Sequence, residues 1–148
     1  MHRIFSFDPG RTTGYCSIDV QDDGKDFSVV RCGEIEWSER MPALHGILYD
    51  SLMPTYVVIE SFRLFPHKAR AQIGSQFPSA RVIGAIEAMV HLLGIGEENI
   101  KFQEPGDIVK VVVPERDLLY VAGSPHKVDA YRHARLCFLK HFYLNPFD

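Results

Sequence analysis

Tyr56-Val57-Val58-Ile59 restricts the fold more than any other segment: four successive apolar residues, bounded by Pro54 and Glu60, with no polar alternation. Such a run suits a strand buried on both faces, and a strand of that kind needs a sheet with a layer packed on each side. A sheet covered by helices is therefore expected. The rest of the chain supplies its parts. Residues 2–7 form a short strand closed by the turn Asp8-Pro9-Gly10. Residues 14–20 and 27–37 read as two more strands joined by the polar segment 21–26, an antiparallel meander.

Helical spacing appears in three places. Leu44, Ile47, Leu48 and Leu52 recur at that spacing after Pro42 and stop before Pro54. From Pro78, the residues Val82, Ile83, Ile86, Met89, Val90 and Leu93 mark a longer helix closed by Gly94. Pro125, at a first helical position, opens a last helix running to about Lys140. Residues 99–103 suit a further strand. In 106–119 three consecutive valines favour strand while the flanks favour helix, and helix is the expectation. The order gives an α/β fold without internal repeat or linker. At 148 residues it matches one domain, 1–148, large enough to bury a core without disulfide or structural metal.

Cys16, Cys32 and Cys137 are odd in number, scattered and free of CxxC spacing, so neither a disulfide framework nor a zinc ribbon is expected. A reducing, cytoplasmic setting follows. No apolar run approaches membrane-spanning length, and a soluble protein is expected.

The net charge of −3 and pI near 6.1 argue against a polybasic nucleic-acid binder. Divided along the chain, the charge tells a different story. Residues 19–60 hold nine acids against Lys25, Arg31 and Arg40, whereas 61–84 hold Arg63, Lys68, Arg70 and Arg81 with no acid. The last helix adds Lys127, Arg132, Arg135 and Lys140.

Asp8 and Glu60 each end a strand, and His126 and Asp129 lie three apart in the first turn of the last helix. If the first and fourth strands pair and the last helix packs across them, these groups converge, and clustered carboxylates call for a hard divalent cation such as Mg²⁺ or Mn²⁺. Taken singly each has a plainer reading: a turn Asp, a solvated Glu, a helix-start charge. His133 continues the same helical face, either as a buried hydrogen-bonded residue or as a support of the site.

The strings FDPGRTTGY, VVIES and HKVDAYRHA, in this order and spacing over nearly the whole chain, resemble the RuvC-like Holliday junction resolvases of the ribonuclease H superfamily. The resemblance implies a five-stranded mixed sheet flanked by helices, and phosphodiester hydrolysis by two Mg²⁺ ions, with Mn²⁺ as substitute. It assigns Asp8, Glu60 and Asp129 as catalytic metal ligands, with His126 in the fourth position. It also implies a homodimer that nicks a four-way DNA junction symmetrically, with cleavage of other branched DNA or of RNA–DNA hybrids, or binding without catalysis, as alternatives. The basic segment beside Glu60 supplies candidate DNA contacts. Arg63, His67, Lys68 and Arg70 suit phosphates, and Phe62 and Phe65 either stack at an opened base step or anchor the loop. Lys110 and Lys127 complete the DNA-binding set. The helix from Pro78, through Ile83, Gly84, Ile86, Val90 and Gly94, is the candidate dimer element.

Overall fold

A computed structural model of the chain describes residues 1–49, 53–61 and 77–143. Its strands are β1 (His2–Asp8), β2 (Thr12–Val20), β3 (Phe27–Glu36), β4 (Thr55–Glu60) and β5 (Ile100–Gln103). Helices α1 (Arg40–Leu48), α2 (Pro78–Leu92), α3 (Leu118–Val121) and α4 (Pro125–Phe138) surround them. The sheet has the order β3-β2-β1-β4-β5. The meander β1-β2-β3 is antiparallel, whereas β4 joins β1 and β5 joins β4 in parallel, which makes a mixed α/β sheet. The apolar run at 56–59 is one of the inner strands, with Val57, Val58 and Ile59 fully buried.

Because successive side chains of a strand face opposite ways, each strand feeds two layers. Phe5, Phe7, Val57 and Ile59 pack with Leu44, Leu48, Val82, Ile86 and Val90 of α1 and α2. Ile4, Cys16, Ile18, Val20 and Val58 pack with Ala130, Tyr131, Ala134, Cys137 and Phe138 of α4. Small residues at 130 and 134 let α4 lie close to the sheet, and the buried Ser6 hydroxyl donates to the Ala130 carbonyl.

Two expectations are corrected. Residues 106–119 are not one helix: a 3-10 turn at Pro105–Ile108 leads through a turn and an irregular stretch to another at Glu115–Asp117, before the short α3. Pro114 accounts for this, since it lacks an amide donor and steers the preceding residue out of the helical region. Ile86 and Val90, read as candidate dimer contacts, belong to the chain's own core. The outward face of α2 instead carries Ala80, Gly84, Ala88 and Leu92, flanked by the exposed Arg81, Glu87 and His91. Two cysteines distant in sequence are neighbours in space. Cys16 and Cys32 pair across β2 and β3 with their sulfurs 2.8 Å apart, as free thiols. Burial pushes the Cys16 thiol well up and the Cys137 thiol up to about 12.

Candidate active site

The parallel pairing of β1 and β4 runs to Phe7 opposite Ile59, so the next residues, Asp8 and Glu60, end their strands side by side. Alternation sends both to the α4 face. In the β1–β2 ladder Asp8 stands opposite Gly14, and here the absence of a side chain is required. A Cβ at Gly14 would sit 2.1 Å from the His126 carbonyl oxygen. The glycine thus lets the first turn of α4 rest directly on β2. Ser124 caps that turn by accepting from the Lys127 amide at 3.1 Å, and Pro125 fills the first helical position, where no amide bond is lost. The result brings His126 Nδ1 to 3.8 Å from Asp8 Oδ2.

The loop carrying Asp8 is braced from two sides. Ser79, at the start of α2, donates to the Pro9 carbonyl at 2.9 Å, and the Thr13 hydroxyl donates to the Gly10 carbonyl at 3.2 Å.

The electrostatics agree with convergence. Burial, then the negative charges of Glu60 and Asp129, push the Asp8 carboxyl from 3.8 up to about 7, against a smaller opposing effect of His126 and His133. Burial and Glu60 also raise Asp129, while Arg132, whose Nη1 lies 3.9 Å from Asp129 Oδ1, pulls it down. Three acids from β1, β4 and α4 thus feel one another across a partly buried end of the sheet.

His133 lies beneath them, fully buried. Its Nε2 is 2.8 Å from Glu60 Oε2 and its Nδ1 is 2.8 Å from Gln103 Oε1. Of the alternatives left open by the sequence, the structure shows the buried, hydrogen-bonded histidine, and one of its two partners is Glu60. Gln103 carries no motif, and only the β4–β5 register, which pairs it with Glu60, reveals it.

No protein-family model and no curated protein matches the sequence. Solved structures do. RuvC of T. thermophilus, determined with a Holliday junction substrate, superposes with a TM-score of 0.63 at 15% identity, over 96% of this chain and 94% of that one. The fowlpox virus resolvase, in complex with Holliday junction DNA, gives 0.57 at 10% identity, over 93% of this chain and 97% of that one. The same viral resolvase in a second structure gives 0.53 at 12% identity, over 93% and 97% of the two chains. The chain has the RuvC-like fold. This is the ribonuclease H-type α/β sheet that the sequence motifs imply.

In this RuvC-like frame Asp8, Glu60, His126 and Asp129 all sit at one end of the sheet's α4 face. Lys127 is half-buried in the first turn of α4, and Lys110 is exposed beyond the turn at Pro105–Ile108. Phe62, Arg63, Phe65, His67, Lys68 and Arg70 lie outside the described residues. Among the described residues no three His, Cys, Asp or Glu side chains stand ready around a single point. The donor set nevertheless fits a hard divalent cation in kind: three carboxylates and one imidazole, with mutual repulsion that a cation would reverse. Among the same residues no helix is long and apolar enough to cross a membrane.

Proposed function

We propose that the protein is a divalent-metal-dependent endonuclease that resolves four-way DNA junctions as a homodimer. The observation that supports this most is the meeting of Asp8, Glu60 and Asp129, from three separate parts of the chain, at one end of a RuvC-like sheet. The resolvases of similar fold were solved with junction DNA, which gives the reading its substrate.

Asp8, Glu60, Asp129 and His126 would hold the ions, two Mg²⁺ or Mn²⁺. Such ions supply Lewis acidity and neutralise the charge that grows on the scissile phosphate. The protein's own groups do the rest. Asp8, central among the acids, orients the reacting centre. His126 offers a ring nitrogen 3.8 Å from it, able to hold or pass a proton. Lys127 and the basic run from Arg63 to Arg70, with Lys110 farther out, attract the DNA backbone, and Phe62 or Phe65 contacts an opened base step. One site cuts one strand, so paired nicks need a second copy. The outward stripe Ala80, Gly84, Ala88 and Leu92, repeating every fourth residue along α2, suits close helix packing about a two-fold axis.

The test is cleavage of labelled four-way, three-way, flap, linear duplex and RNA–DNA substrates with Mg²⁺. Paired symmetric nicks confined to the four-way junction are expected. Unpaired nicks would overturn the dimer, and equal cleavage of flaps or hybrids would overturn the substrate. Asp8→Asn should lower cleavage at least about a thousandfold, the equivalent of ~4 kcal/mol of transition-state stabilisation, while junction binding persists. Undiminished cleavage by this variant would refute the site.

A further inference from the structure

We propose that His133, backed by Gln103, is a positioning residue that holds one oxygen of Glu60 so that the other faces the cation. The inference rests on the metal-site reading above but concerns two residues which that reading leaves without a task.

A carboxylate can only accept, so in the contact between His133 Nε2 and Glu60 Oε2, at 2.8 Å, the imidazole donates. A neutral imidazole that donates from Nε2 presents a lone pair at Nδ1. The Gln103 side chain, 2.8 Å away, meets that lone pair by turning its amide N–H toward it, or accepts through its oxygen if the ring carries both protons. In both states Nε2 carries the proton that reaches Glu60, and Gln103 holds the ring at its other nitrogen. The chain β5–α4–β4 is therefore a relay of orientation: Gln103 fixes the ring and the ring fixes the carboxylate.

The surroundings of His133 sharpen the point. Along the same helix, positions 130, 134, 137 and 138 bury Ala, Ala, Cys and Phe against the sheet. This layer accepts apolar side chains readily, and a leucine at 133 would fill its place without stranding two polar nitrogens. A fully buried imidazole is tolerated because both nitrogens are satisfied, and one of the two bonds is spent on a site carboxylate. Asp8 and Asp129 are met differently, by an approach of 3.8 Å from the His126 ring and an ion pair of 3.9 Å from Arg132. Glu60 has the longest side chain of the three acids and the most rotatable bonds to restrain. Pinning Oε2 fixes the carboxylate's rotation, with Oε1 as its remaining ligand atom. Residues that orient a metal ligand in this way typically govern about 10–100-fold in metal affinity.

Mn²⁺ binding to the intact protein, followed by loss of the free-ion paramagnetic resonance signal, tests this without reference to cleavage. His133→Leu keeps the volume and removes the donor; His133→Gln keeps a donor at the ε position. The leucine variant should bind Mn²⁺ about 10–100-fold more weakly and need correspondingly more Mg²⁺ for half-maximal junction cleavage, with the rate at saturating Mg²⁺ largely recovered. The glutamine variant should restore most of the affinity. Gln103→Leu should weaken binding in the same direction but less, and it provides a readout if His133→Leu does not fold. Equal Mn²⁺ affinity in the leucine, glutamine and parent proteins would overturn the proposal. If Asp8→Asn, measured alongside, also leaves Mn²⁺ binding unaltered, the carboxylate site itself falls, and with it the role of His133.

Discussion

On β1, Phe5 and Phe7 turn into the layer beneath α1 and α2, while Ile4, Ser6 and Asp8 turn toward α4. The first layer gathers chiefly apolar side chains, among them Leu44, Leu48, Ile86 and Val90, with the small buried hydroxyls of Ser17 and Thr55 turned to the same side. The second begins in the same way but becomes polar toward the strand ends, through Ser6, His133 and Gln103 to the three acids. One face stores stability, and the other gives part of its stability up to hold charges near one another. The strands are common to both, so the difference comes from alternation alone, carried one or two residues past the core.

The largest effect should come from the apolar face. Leu44→Ala should cost about 2–5 kcal/mol in urea unfolding, since Leu44 is fully buried, yet leave the Mn²⁺ affinity of the folded protein unchanged. A shift in affinity would break the division between the faces. On the α4 face the sign reverses. Asp8 ionises near 3.8 in the unfolded chain and at about 7 in the fold. Below 3.8 both forms are protonated and no penalty exists. As pH rises from 3.8 to 7 the unfolded chain ionises first, so the metal-free protein loses stability, and above 7 the loss is complete. In chelator, Asp8→Asn should therefore be more stable than the parent by about 2–4 kcal/mol at pH 8 and equal to it near pH 3.5. A pH-independent difference would remove the charge-crowded face from the picture. Gly14→Ala should cost about 1–3 kcal/mol and lower cleavage as well, because the added carbon displaces the turn that carries His126 and Asp129. Loss of stability with full activity would show that the turn can move without harm. Ser124→Ala, which removes the cap of α4, should cost about 1 kcal/mol in thermal unfolding.

Much of this was legible in the sequence where one local rule sufficed. An apolar run gave an inner strand, a turn after a short strand gave Asp8 its place, and Pro125 marked the last helix. What was not legible depends on which residues stand opposite each other. Cys16 and Cys32 meet only because the β2–β3 register, shifted by an irregularity at Ser17 and Ile18, puts them there. Gln103 has no motif, and its meaning comes from lying beside Glu60. His133 could be singled out but not resolved, since its two partners come from different strands. Periodicity marked an apolar face on α2 but could not divide it between this chain's core and a second copy.

The Ser6 hydroxyl and the Ala130 carbonyl that it reaches are 124 positions apart, and Asp8 meets His126 over nearly the same span. The hairpin from β1 to β2 closes a short loop; the site closes one of the longest that the chain can make. Loop closure costs more entropy the longer the loop, so the sheet and its α1–α2 layer can form while α4 is still undocked. Pulsed hydrogen exchange during refolding would then find the amides of β1 and β2 protected before those of the first turn of α4. A chain assembled in this order has its acids together only once the rest of the molecule is in place.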